Sequence, residues 1–95
     1  MVNIDQLIGK KVISEKAITI GEVRGAEADT NNWTITHLLV KLTREAANEL
    51  EFKKRFGSPT VCMPVSLIKA VGDVVAIQKS ISELRKTREL VECKE

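Results

Sequence analysis

Aromatic side chains make up 3% of this 95-residue chain, and tyrosine is missing altogether. A core must therefore be filled by Val, Ile and Leu, within an ordinary globular balance of 43% hydrophobic and 29% charged residues. Cysteine occurs twice, at Cys62 and Cys93, without the paired spacing of a metal or redox motif. Histidine occurs once. No apolar run is long enough to cross a membrane, and no basic start leads into an apolar stretch, so neither a transmembrane segment nor a secretory signal is expected. An excess of one charge is also missing. The net charge is +2, from 15 basic and 13 acidic side chains with interspersed signs, as on a solvated surface. That total is too small to imply a polyanion partner. These absences predict one small soluble domain, cytoplasmic, with both thiols reduced.

What is present is organised around residues 20–42. They read as a hairpin with strands at 21–29 and 33–41, rich in Val, Ile, Thr and Trp. Thr30-Asn31-Asn32 makes the turn, because Asn tolerates positive φ. Trp33 and Ile35 share one face of the second strand, while Leu38, Val40 and Leu42 share the other. A one-residue phase change of this kind predicts a bulge or sharp bend.

The remaining segments are shorter. Residues 4–8 make a single helical turn that Gly9 stops with a positive φ. Residues 10–14 form a short strand with Val12 inward. Residues 43–56 read as a helix, with Thr43 as N-cap, acid-to-base pairs Glu49/Lys53 and Glu51/Arg55, and Gly57 and Pro59 ending it. Leu50, Phe52 and Phe56 do not make one clean stripe, so the expectation is a helical insertion lying on the β structure. Short strands follow at 60–64 and 71–77. Ser80-Ile81-Ser82-Glu83 matches a capping box. It opens a helical tail, residues 80–95, whose Ile81, Leu84, Leu90 and Val91 form an apolar stripe available to a partner.

No constellation of residues carries a reaction. His37 lies alone in the second long strand, and a lone strand histidine is more often hydrogen-bonded than catalytic. Cys62 reads as a small buried hydrophobe and Cys93 as an exposed tail thiol. Glu22, Glu27 and Asp29 fit a solvated strand face. Lys53-Lys54-Arg55 is the one basic cluster. It is flanked by Phe52 and Phe56, which makes it a candidate RNA contact, although Glu49 and Glu51 reduce its potential. The expectation is a protein without enzyme activity, cofactor or metal.

Motif order adds a family. Gly9-Lys10-Lys11-Val12, Gly21-Glu22-Val23, the run Trp33/Ile35/Leu38/Val40, and Met63-Pro64/Ile68/Val71-Gly72-Asp73/Val75 together resemble the PRC-barrel domain over residues 4–78. The resemblance implies a mainly β fold, a small and strongly bent barrel of about six strands. It implies a domain at residues 1–79, with 43–56 as a helical insertion and 80–95 as a helical tail added to it. Such domains occur in the photosynthetic reaction-centre H subunit, in the ribosome maturation factor RimM, and as free-standing archaeal proteins, which this chain is most similar to. Members serve as docking modules, and some free-standing ones act in cell division by binding SepF. The resemblance therefore implies an adaptor, with SepF as a possible protein partner; a homodimer is also expected, and a RimM-like RNA-associated role is the alternative. It assigns no active site.

Overall fold

The long hairpin forms where its alternation places it. In the computed structural model, which describes residues 4–52, 59–88 and 90–92, β2 (Thr19–Asp29) and β3 (Thr34–Leu42) pair antiparallel from Gly21 opposite Leu42 to Asp29 opposite Thr34. The register shifts between Val23 and Gly25, where Arg24 is the extra residue on β2. It shifts again between Glu27 and Ala28, where Thr36 is the extra residue on β3. The second bulge explains the phase change. Ile35 and Leu38 are three residues apart, yet Leu38 is in the core and Ile35 packs against it, because Thr36 takes up the odd step.

The turn differs from expectation. Trp33 is not on the strand beside Ile35; it sits in the turn with φ 55° and is 80% exposed. The two side-chain bonds decide this. Asp29 Oδ1 accepts from the Asn31 amide at 2.9 Å, and Asn32 Oδ1 accepts from the Thr34 amide at 3.2 Å. With the carboxamide of Asn32 bonded across it, Trp33 takes the left-handed conformation that the sequence assigns to asparagine.

The remaining strands are β1 (Lys11–Ile13), β4 (Thr60–Pro64), β5 (Ile68–Val71), β6 (Val75–Ile77) and β7 (Val91–Glu92). They join the hairpin in one seven-stranded sheet of order β5-β6-β1-β2-β3-β4-β7. Among the described strands only β1 and β6 run parallel, with Val12 opposite Val75. One face of the sheet, carrying Val12, Ile20, Val23, Leu38, Val40, Val61, Met63, Val75 and Ile77, wraps a single core. Among the described residues the sheet does not close into the expected barrel: β5 and β7 stand at its two ends without pairing to each other. The physical reason is short edges. β7 has two residues, and three of the four in β5 are exposed.

The quoted motifs meet in space. The Gly9 amide donates to the Val23 carbonyl at 2.8 Å, and the Val23 amide to the Lys10 carbonyl at 2.9 Å. The Lys10 ammonium donates to the Gly72 carbonyl, which ties the first motif to the last. Gly9 has φ 91°, as its place after α1 (Ile4–Leu7) requires.

Two helices close the core beside the sheet. In α2 (Arg44–Glu49) Thr43 is the N-cap and accepts from the Ala46 amide at 3.1 Å. The helix does not run to residue 56. It ends with Leu50 as C-cap and Glu51 at φ 65°. The Glu51 amide bonds the Asn48 carbonyl at 3.2 Å and the Phe52 amide bonds the Ala47 carbonyl at 2.9 Å. That pair of bonds is a Schellman ending, with Glu where glycine is usual. Phe52 turning back onto the core is what stops the helix early.

In α3 (Ile81–Thr87) the predicted capping box is complete. Arg88 then takes φ 53° and ends the helix. The tail is therefore not one helix, because it returns as β7 to pair with β4. Its Ile81, Leu84 and Leu90 share the same core as the sheet. Among the described residues no helix is long and apolar enough to cross a membrane.

Candidate functional site

An open groove lies where α2 and α3 end side by side. Both helices stop on a left-handed residue, Glu51 and Arg88, and each bend turns the following apolar side chain, Phe52 and Leu90, back toward the body. Between them is a groove of about 440 Å³. Its floor is Leu50, Phe52, Leu84 and Leu90, and its rim is Glu51, Arg85, Lys86 and Arg88. Among the described residues the rim thus carries three cations and one carboxylate. Leu84, at 1% exposure, anchors the floor in the core, whereas Arg85, Lys86 and Arg88 are exposed. The arrangement offers apolar contact at the bottom and charge-assisted hydrogen bonds at the edge.

The structure spreads the four tail residues over different environments. Leu84 and Leu90 line the groove. Ile81 is buried in the core, and Val91 lies on β7 with 61% exposure. Lys53, Lys54 and Arg55, the candidate RNA contact, fall outside the described residues. Leu50, Phe52 and the three cations were not legible as one site. The sequence singles out Lys53-Lys54-Arg55 and not Arg85, Lys86 and Arg88, and nothing in it showed that α2 would end beside those three.

The one histidine and the nearer cysteine sit on the sheet's other face. His37 is opposite Glu27 on β2 and Pro64 on β4, and its Nδ1 lies 3.0 Å from the Thr36 hydroxyl. Cys62 is disulfide-bonded, which overturns the expectation of two reduced thiols. The physical reason is the return of the tail: Val91 stands opposite Cys62, two residues before Cys93, the one other cysteine in the sequence. Glu27 Oε1 is 3.1 Å from Cys62 Sγ. A bonded sulfur has no proton to donate, so this is a contact and no hydrogen bond. A carboxylate there also disfavours a thiolate, the opposite of what a nucleophilic cysteine needs.

Elsewhere, the α3 cap perturbs one carboxyl. The Ser80 backbone amide donates to Glu83 Oε1 at 3.2 Å and holds that carboxyl below its usual range, with smaller help from a side-chain hydrogen bond with Glu15, the Ser80 hydroxyl and Lys79. The role is structural, since the group serves the helix start. Among the described residues no group of three or more His, Cys, Asp or Glu side chains could hold a metal ion. No protein-family model matches the chain, and a search of curated proteins finds no match either.

Proposed function

We propose that this chain is a non-enzymatic protein-interaction module, an adaptor that captures a partner in the groove between α2 and α3. The observation that carries the reading is that groove: an apolar floor continuous with the core, open to solvent and rimmed by charge. The PRC-barrel resemblance supports it as well. The motif residues Gly9, Lys10, Gly21, Val23 and Gly72 serve the scaffold, and the groove is built by the additions to it, α2 and α3. That resemblance also makes SepF the first partner to test and cell division the first process. A closed barrel belongs to this proposal only as the family's fold. So does a homodimer, for which the outer edge of β5 is the natural surface, because an unpaired edge strand pairs readily.

The test is photo-cross-linking in cells that express the chain. A photoreactive residue at Arg85 should capture one protein that the same residue at Asn31, on the hairpin tip, does not. Equal capture from both positions, or none from Arg85, removes the reading. The RNA- or ribosome-associated alternative has one structural support, the cations Arg85, Lys86 and Arg88. Its mark would be binding that collapses with salt.

A further inference from the structure

We infer that the segment seated in the groove is acidic and amphipathic: a short peptide with one or a few aliphatic side chains flanked by Asp or Glu. The inference rests on the docking reading above and names the partner's chemistry. Size comes first. A volume of about 440 Å³ lies near the lower end of ligand pockets, so it takes a few side chains and not a folded surface. The floor is aliphatic apart from Phe52, which suits Leu, Ile or Val anchors of a peptide laid along a helix.

Charge comes second. Arg85, Lys86 and Arg88 outnumber Glu51 by two charges. The C-terminal turns of α2 and α3 border the same groove, and each offsets roughly half a charge at most. A positive excess of about one charge therefore remains after the helix ends are counted. Two of the three cations are arginines, whose forked donors match carboxylates. The neighbouring sequence does not reverse this sign: residues 53–58 carry three cations and no acid, against the single acid Glu89 between Arg88 and Leu90. RNA would match the charge but not the floor, since bases stack on aromatic planes and Phe52 is the one ring among the described lining residues.

Fluorescence anisotropy on the full chain tests this with three labelled probes: a short amphipathic peptide with leucines on one face and glutamates beside them, its lysine-for-glutamate counterpart, and an oligouridylate. The acidic peptide should bind, and the lysine peptide should not. Arg85→Glu combined with Lys86→Glu should weaken the acidic peptide by about tenfold, and more salt should weaken it further. Arg88→Gly keeps the left-handed conformation and removes one rim cation, so it should cost about threefold with no loss of fold by circular dichroism. Equal binding of the two peptides, or an unchanged affinity in the double variant, overturns the inference. Tighter binding of the oligouridylate overturns it in favour of RNA. If Arg85 still cross-links a protein in cells while the acidic peptide fails to bind, this inference falls and the docking reading stands. Loss of both results removes both.

Discussion

A methyl group on Gly21 has nowhere to go. A Cβ there would lie 2.5 Å from the Lys41 carbonyl oxygen and 2.7 Å from Val40 Cγ1, both on the neighbouring strand. Backbone cannot step aside as a lysine tip can. Gly21→Ala should therefore cost about 2 kcal/mol or more, read as a lower urea midpoint. Gly72→Ala is the control. Nothing lies within 4 Å of its Cβ position, so it should be near neutral, and equal losses for the two would refute the packing argument. Trp33 is the reverse case. It is exposed and held at φ 55°, so Trp33→Gly should stabilise the free chain by up to about 1 kcal/mol. A clear loss would mean that the ring packs on something. Residue chemistry was legible at Gly9, which stops a helix, and illegible at Trp33, Glu51 and Arg88. At those three, neighbouring side-chain bonds or core contacts impose a conformation the residue itself does not prefer.

At the scale of the element, α3 depends on its first turn. Ser80→Ala removes the oxygen that accepts from the Glu83 amide at 3.3 Å, and should cost about 1 kcal/mol. The pH dependence follows from the lowered Glu83 carboxyl. A folded-state value below the unfolded one contributes stability that is complete above the unfolded value of about 4.3 and fades as pH falls through the folded one. The protection factor of the Ser80 amide, its exchange rate relative to the intrinsic rate at each pH, should be steady from neutrality down to about pH 5 and fall below about pH 4. Glu83→Gln should flatten that fall; an unchanged profile would show that another group controls it.

β7 has a different support. It is two residues long, too short to hold by its ladder alone, and it lies beside the disulfide-bonded Cys62. A bridge to Cys93 closes a loop of 31 residues (93 − 62). On the chain-entropy account reduction should cost about 3–4 kcal/mol. The Val91 amide should then exchange as an open chain while the hairpin amides stay protected. If reduction leaves both unchanged, the bridge does not hold β7. The start of each helix was legible, because Thr43 and Ser80 carry their own capping chemistry. Their ends were not, because core contacts of Phe52 and the left-handed Arg88 decided them.

The described residues form an open sheet curled around one core, with α2 packed against β2 and α3 against α2. The sheet's two edges differ. One is β7, latched to β4, and the other is β5, whose outer side is unpaired among the described residues. If the proposed homodimer forms, light scattering at tens of micromolar should give twice the chain mass, and Val71→Lys, a charge on an exposed edge residue, should return it to a monomer. A monomer in both cases ends the dimer proposal and leaves the groove untouched. The groove variants should stay folded, because Arg85, Lys86 and Arg88 are exposed; Arg88→Gly should melt slightly above the parent, since Arg88, like Trp33, holds a left-handed φ.

The amino-acid order alone determined the mainly β class, the hairpin and its bulge near Thr36, the glycine that ends α1 and the two helix caps. These depend on neighbours a few residues away, where period-2 alternation and capping oxygens act directly. Only the tertiary structure decided that the sheet stays open, that α2 stops at Glu49, that the tail comes back as a strand, and that Cys62 is bonded. It also decided where the groove lies. Each of these requires segments far apart in sequence to meet: Phe52 with the core, Val91 with Cys62, Leu90 with Leu50. Spacing along a chain does not encode such meetings, since they follow from which apolar surfaces remain uncovered once the sheet has formed.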